Sequence, residues 1–344
     1  MTKIKAGIIG IGGMGRWHLE SYQSLPNVDV TAICDIDKGA AEKLANERSI
    51  PNVFNDYNRM LSLKDLDVVS VCTPNYLHAT ISIAALEAGK HVLCEKPVAM
   101  NAGEATKVAE KVRETGKTFV IGYWIPHTPE GATLKKLVDT GKLGDLYFVK
   151  TGWIRRFLFG DPRWYSVKDK SGGGPLMDLG VHVLDLALWM LNYPDTASVL
   201  GTTFTKVAPE QIHETYENKQ VIFDVEDMAY AMIQFRGGVT VALEVNWVSF
   251  VEKERIYLDL YGTRGGAELY PLRIFADEWK TPVAIVPDLS RIKKSSSVEY
   301  FIDCISRNVP PTIATIENGV KVMRIIDAIY DSARKGREVR LQQS

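Results

Sequence analysis

The sequence predicts an α/β N-terminal Rossmann domain, a doubly wound parallel sheet, followed by an α+β C-terminal domain with a large, mainly antiparallel sheet. Three observations predict it. In the first third, short apolar runs alternate with amphipathic stretches. Between the first run and the first amphipathic stretch stands a G-x-G-x-x-G pattern at Gly10, Gly12 and Gly15. After Tyr123 the pattern changes to longer alternating strands, with a hairpin signal at Gly237-Gly238.

Element by element, Ile4 to Gly10, Val28 to Cys34, Val68 to Cys72, His91 to Cys94 and Thr118 to Gly122 read as buried strands. Met14 to Ser24, Lys38 to Glu47, Leu77 to Ala88 and Ala102 to Thr115 read as the helices between them. Strand and helix in alternation imply right-handed crossovers and parallel pairing. A further helix follows at Thr128 to Thr140. Strands are then expected at Leu146 to Arg156, Met228 to Phe235, Val239 to Trp247 and Arg255 to Tyr261. Two more helices are expected, at Pro175 to Leu191 and Ile316 to Arg334. The domains are read as 1–123, binding a dinucleotide, and 124–344. The C-terminal helix is free to pack back on the first.

At 344 residues the chain exceeds one ordinary core. A composition of 46% hydrophobic and 24% charged residues excludes disorder, and a net charge of -1 provides no field for nucleic acid. Cys34, Cys72, Cys94 and Cys304 are too dispersed for a disulfide scaffold or a zinc site, so no metal is expected. With no signal-peptide pattern and no membrane-length apolar run, a cytoplasmic location is expected.

In strand–turn–helix context, the loop Gly10, Gly12, Gly13, Met14 and Gly15 suits a pyrophosphate, which needs close backbone approach and free N–H groups at a helix N-terminus. Asp35 stands twenty positions after Gly15 (35 − 15), at the end of the second strand, where a carboxylate accepts from ribose hydroxyls. It would repel a 2′-phosphate, so NAD is expected rather than NADP. Asp37 reads as a helix cap, and Lys38 slightly opposes the preference.

From Val71 to Pro97 the chain reads VCTPNYLHATISIAALEAGKHVLCEKP. Gly172-Gly173-Gly174, Asp178, Gly180, His182 and Asp185 follow, then Gly262-Thr263-Arg264-Gly265. In these motifs the sequence resembles the glucose-fructose oxidoreductase / inositol dehydrogenase / MocA family over nearly its whole length. The resemblance implies a catalytic-site lysine at Lys96 and a cis peptide before Pro97. It places Glu95 near the nicotinamide ribose, Thr73, Pro74 and Asn75 along the cofactor, and Asp178 and His182 against the substrate. His78 joins the cofactor-side set as a helix-end residue. Asp178 and His182 are four apart on one expected helix and share a face. They and Lys96 could meet only across the domain cleft.

The implied reaction moves a hydride between nicotinamide and a secondary hydroxyl of a sugar or cyclitol. His182 would take the hydroxyl proton, with Lys96 tuning it and Asp178 orienting a neighbouring group. Tyr123, Trp124, Trp153 and Trp164 are candidate substrate contacts, since flat rings suit the apolar faces of sugars. Asp185 reads as a supporting residue. His18, His91, His127 and His213 are given no role. One departure matters: relatives often carry an arginine after the sixth strand, where this chain has Tyr123-Trp124-Ile125-Pro126-His127. Three alternatives stay open: an NAD-dependent glycoside hydrolase, a non-catalytic NAD-binding regulator, and a reductase working mainly in the other direction, for instance on a keto-sugar or imine. The resemblance also implies that 124–344 binds the substrate and forms a homodimer or homotetramer through the C-terminal sheet.

Overall fold

The computed structural model describes residues 3–156, 164–215, 221–278 and 280–342, the side chains of 212–215 excepted. The chain forms two compact units, Met1–Tyr123 with Ser295–Val320, and Trp124–Lys294 with Lys321–Ser344.

The first unit runs β1 (Ile4–Ile9), α1 (Gly13–Gln23), β2 (Val28–Cys34), α2 (Lys38–Arg48), β3 (Asn52–Phe54), α3 (Tyr57–Leu61), β4 (Val68–Val71), α4 (His78–Glu87), β5 (His91–Cys94), α5 (Ala102–Thr115) and β6 (Phe119–Ile121). Its strands pair in parallel in the order β3-β2-β1-β4-β5-β6, the doubly wound order of dinucleotide-binding sheets. Helices cover both faces of such a sheet, so its strands are apolar runs: Ile8, Ala32, Val69, Val71, Val92 and Leu93 are fully buried. Local chemistry sets the helix ends. Asp37 accepts from Ala40 N at 3.0 Å, as a cap should, and Asn101 accepts from Glu104 N at 2.9 Å. Gly116, at φ 64°, stops α5 in the left-handed region. β3 and α3 escaped the sequence reading because they are only three and five residues long.

The second unit contains α6 (Pro129–Asp139), β7 (Leu146–Ile154), α7 (Lys168–Ser171), α8 (Val181–Met190), β8 (Thr196–Phe204), α9 (Ala208–Thr215), β9 (Met228–Phe235), β10 (Thr240–Asn246), β11 (Arg255–Gly262), β12 (Gly265–Leu269), β13 (Arg273–Glu278) and β14 (Thr281–Ile285). The chain then supplies α10 (Ser297–Ser306) to the first unit. Next comes α11 (Ile316–Lys335), which starts in the first unit and ends in the second, and finally β15 (Val339–Arg340). Among the described residues the second sheet has the order β14-β13-β12-β11-β7-β10-β9-β8-β15, antiparallel except for β7 with β10.

Every residue of α8 is buried, so it is a core helix; the hydroxyl of Thr151 on β7 donates to Val183 O on it at 3.2 Å. Along β9 buried residues alternate with half-buried or exposed ones, leaving one sheet face open. The helix expected over Pro175 to Leu191 is divided. A π turn spans Leu176–Gly180 and α8 follows it. Proline cannot donate to the helix ladder and glycine holds helix weakly, so this segment accepts the wider turn.

Candidate active site

The glycine loop joins β1 to α1, and its glycines serve distinct ends. Gly10 has φ +90°, and a Cβ there would lie 2.5 Å from Cys72 O. A Cβ at Gly15 would overlap Gly10 O, so only glycine lets α1 start this close to β1. Gly12 and Gly13 instead border open space. No side chain caps α1 and no acid lies in its first turn, so its amide groups face that space with their partial positive charge intact. Met14 is exposed beside them.

Asp35 follows β2. Its Oδ2 accepts from Ile11 N and its Oδ1 from Asp37 N, both at 2.9 Å. The carboxylate therefore ties the glycine loop to the β2 end, and each oxygen keeps a second lone pair. Lys38 pairs with Glu42 at 3.4 Å rather than with Asp35. Ile36, beside Asp35, is 93% exposed.

The loops after β4 and β5 open on the same sheet edge, because the strands are parallel. Thr73 Oγ1 is buried with no hydrogen-bond partner, an acceptor and donor left for a ligand. Asn75 is buried and starts a short 3₁₀ turn before α4. His78 links the two loops, with Nε2 2.7 Å from Thr73 O and Nδ1 2.6 Å from Pro97 O. Burial lowers its pKa, while these two carbonyls favour the cation, the form able to donate to both. Lys96 is half-buried and its peptide bond to Pro97 is cis. Open space at Gly12 and Gly13, an unpaired hydroxyl at Thr73 and a ribose-type acceptor at Asp35 together fit a dinucleotide.

Two residues of this region were not singled out as a pair in the sequence. His18 Nε2 lies 3.0 Å from Glu95 Oε1, and both side chains are buried. Glu95 Oε2 also accepts from Lys96 N at 3.3 Å. Burial pushes the Glu95 pKa up, but the hydrogen bond with His18 and the nearby Lys96 charge outweigh it, and the carboxyl titrates below its ordinary value.

In the second unit His182, on the first turn of α8, is buried within an aromatic cluster. Its ring centroid lies 5.9 Å from Trp153 and 6.4 Å from Trp124, and those two indoles meet edge to face at 6.4 Å. Asp178, in the π turn, accepts from Trp247 Nε1 at 3.0 Å. Trp247 packs on Phe223 at 6.3 Å, and the Arg155 guanidinium lies over Trp153 at 5.2 Å. Sequence reasoning missed Trp247, Phe223 and Arg155, since each is an ordinary residue until folding brings Arg155 over Trp153 and Trp247, with Phe223, against Asp178. Trp164 stacks on Tyr165 at 3.8 Å, and Tyr123 is buried. Asp185 is fully buried, its Oδ1 accepting from Tyr193 OH at 2.7 Å; burial raises its pKa to about 7. The side chain of His213 lies outside the described residues.

The glycine run before Asp178 has a packing cause. Gly172 is at φ +83°. A Cβ at Gly173 would overlap the Tyr330 hydroxyl, and one at Gly174 would overlap Glu226 O. Glu226 in turn accepts from Leu176 N at 3.1 Å and Tyr330 OH at 2.9 Å, so it anchors the π turn that carries Asp178. The run therefore makes room for the unit's own atoms. Among the described residues no cluster of metal-binding side chains occurs, and no helix is long and apolar enough to cross a membrane.

The doubly wound sheet with its glycine-lined edge defines a dinucleotide-binding domain of the Rossmann class. Residues 4–123 match the oxidoreductase family with an NAD-binding Rossmann fold, and residues 132–268 match the GFO/IDH/MocA C-terminal domain. The chain belongs to the Gfo/Idh/MocA oxidoreductase family, and its dinucleotide is NAD. It is 30% identical to the D-glucoside 3-dehydrogenase of Escherichia coli, over 99% of this chain and 98% of that one. It is 27% identical to the inositol 2-dehydrogenase/D-chiro-inositol 3-dehydrogenase of Lactiplantibacillus plantarum, over 95% and 90%. Among solved structures, an oxidoreductase domain protein from Kribbella flavida superposes with a TM-score of 0.87 at 26% identity, covering both chains fully. A levoglucosan dehydrogenase in complex with NADH and L-sorbose shares the fold with a TM-score of 0.87 at 23% identity, again over both whole chains.

Proposed function

We propose that the chain is an NAD-dependent dehydrogenase that oxidises a secondary ring hydroxyl of a sugar, sugar derivative or cyclitol. The observation that carries this reading is the group of His182, Trp153 and Trp124, with Asp178 held by Trp247. It sets an acid–base residue and a carboxylate among flat apolar rings. Carbohydrate recognition calls for that mixture: rings for the C–H faces and a carboxylate for the hydroxyls. The relatives named for glucoside and inositol oxidation support the substrate class.

NAD, when bound, supplies the hydride acceptor. His182 is assigned the hydroxyl proton, an imidazole being suited to accept it near neutral pH. Lys96 is assigned electrostatic support of the developing alkoxide, and Asp178 the orientation of a neighbouring hydroxyl. On the cofactor side, Gly10, Gly12, Gly13, Met14 and Gly15 are assigned the pyrophosphate and Asp35 the adenosine ribose. Thr73, Pro74, Asn75 and Glu95 are assigned the remainder of the cofactor. Trp124 and Trp153 are assigned the substrate.

A homo-oligomer through the open face of the second sheet is part of the reading. Leu200, Phe204, Tyr230, Tyr261 and Phe275 are exposed on its strands and offer apolar surface for such a contact. Light scattering after size exclusion tests it: a mass twofold or fourfold that of one chain is expected, and a monomer mass would refute it. The four cysteines are free, which suits a reducing, cytoplasmic setting.

The experiment that tests the function is a screen of methyl glucosides, aldoses and inositols with NAD and NADP, following absorbance of the reduced ring. Release of NADH with a polyol or glycoside is the expected result. Glycoside cleavage without net NADH would instead indicate transient oxidation.

A further inference from the structure

Below the C-terminal end of β5 runs a chain of four buried polar side chains, Tyr22, Ser70, His18 and Glu95, each at most 5% exposed. Tyr22 OH lies 2.9 Å from Ser70 Oγ, Ser70 Oγ 2.8 Å from His18 Nδ1, and His18 Nε2 3.0 Å from Glu95 Oε1. We infer that Tyr22, Ser70 and His18 hold Glu95 as a fixed buried negative charge, which makes the first unit bind the oxidised, cationic nicotinamide in preference to the reduced, neutral one. The inference rests on the NAD-dependent reading above.

Proton arithmetic fixes the direction of the chain. With a neutral imidazole, Tyr22 donates to Ser70, Ser70 donates to His18 Nδ1, and His18 Nε2–H donates to Glu95. Every hydrogen then has an acceptor, and Glu95 is a carboxylate. In the reverse order a protonated Glu95 would donate to His18 and His18 to Ser70. Ser70 would then donate to Tyr22, whose own fully buried O–H would find no acceptor at this junction, a costly arrangement. The Lys96 amide, donating to Glu95 Oε2, also calls for an acceptor there. Gly122 packs directly on the carboxylate, since a Cβ there would stand 2.5 Å from Oε1, so the charge has little room to move or to gather water.

The position suits the role. In a sheet of this order the dinucleotide spans the strand ends, one nucleotide half on each side of the β1/β4 switch point. Asp35 marks the adenosine side at β2. Glu95, at the end of β5, lies on the other side. Nicotinamide carries its positive charge only when oxidised, and a buried anion is weakly screened, so its attraction adds to the affinity of one form alone.

The test is the ratio of dissociation constants, NADH over NAD, measured without substrate by calorimetry and by fluorescence of the reduced ring. It uses the wild type, Glu95→Gln and His18→Leu. Glu95→Gln is expected to lower the ratio by about tenfold. His18→Leu, which removes the donor and lets the buried carboxyl take up a proton, is expected to lower it in the same direction. If Glu95→Gln does not fold, His18→Leu decides alone. A ratio within twofold of wild type in the folded variants, with both affinities reduced alike, would overturn the inference and leave Glu95 a packing residue. If the wild type bound neither form, the dehydrogenase reading itself would fail.

Discussion

The indole N–H of Trp247 donates to Asp178 Oδ2 at 3.0 Å, and Trp247 is itself 5% exposed. A buried ring on β10's trailing edge thus fixes one oxygen of a carboxylate that projects from a π turn. Trp247→Phe keeps the ring and removes the donor. Hydrogen bonds to charged groups contribute about 1.5 kcal/mol or more, so KM for the polyol is expected to rise by roughly tenfold. The NAD dissociation constant should stay at its wild-type value. Equal changes in both constants would mean that Trp247 serves the fold generally.

Asp35 accepts from two loop amides and carries the charge that opposes a 2′-phosphate. Asp35→Asn keeps an acceptor and removes the charge. The preference for NAD over NADP, measured as a ratio of kcat/KM values, is expected to narrow by on the order of tenfold or more. A preference that did not move would place cofactor choice elsewhere.

Gly173 and Gly174 face different obstacles, and double substitution can separate them. Gly173→Ala sets a methyl against the Tyr330 hydroxyl, and Gly174→Ala sets one against the Glu226 backbone. Each is expected to destabilise by about 1–3 kcal/mol in urea titrations. Tyr330→Phe should recover part of the first loss and none of the second. Recovery of both, or of neither, would show that the overlap is not the cause.

Two buried groups of the second unit give opposite pH dependences. Burial raises Asp185 to about 7, so the folded state holds its proton more tightly than the unfolded chain. That contribution is complete below the ordinary carboxylate range and is lost as pH rises toward 7. Burial lowers His127 to about 4, so its contribution is present above the ordinary imidazole value and is lost as pH falls toward 4. Melting temperatures from pH 4 to 8 read the difference. Asp185→Asn relative to wild type should gain stability as pH rises through that window, and His127→Gln should gain as pH falls. A constant offset at all pH values would contradict the titration of that residue.

Local signals were legible in the sequence and pairings across it were not. β2, β5, β9 and α5 fall at their expected bounds because each is set by a local run or a cap, such as Asn101 before α5. The glycine loop was readable because G-x-G-x-x-G in a strand–turn–helix setting has few other uses. By contrast, His18 and Glu95 are 77 positions apart, and Asp178 and Trp247 are 69 apart. Neither pair has a spacing rule that announces it. β13 and β14 were missed because they stand at a sheet edge with largely exposed side chains, which leaves no apolar alternation to detect. The cause of Gly172-Gly173-Gly174 needed Tyr330 and Glu226, which lie far along the chain.

The most direct measurement of the central claim is turnover of the best substrate by Lys96→Met and His182→Asn, each paired with an NAD titration. Loss of an acid–base group commonly removes a factor of about 10²–10⁴ from kcat. Losses of that order are expected in both variants, with NAD still bound. Turnover near the wild-type rate in both, with NAD binding intact, would contradict it.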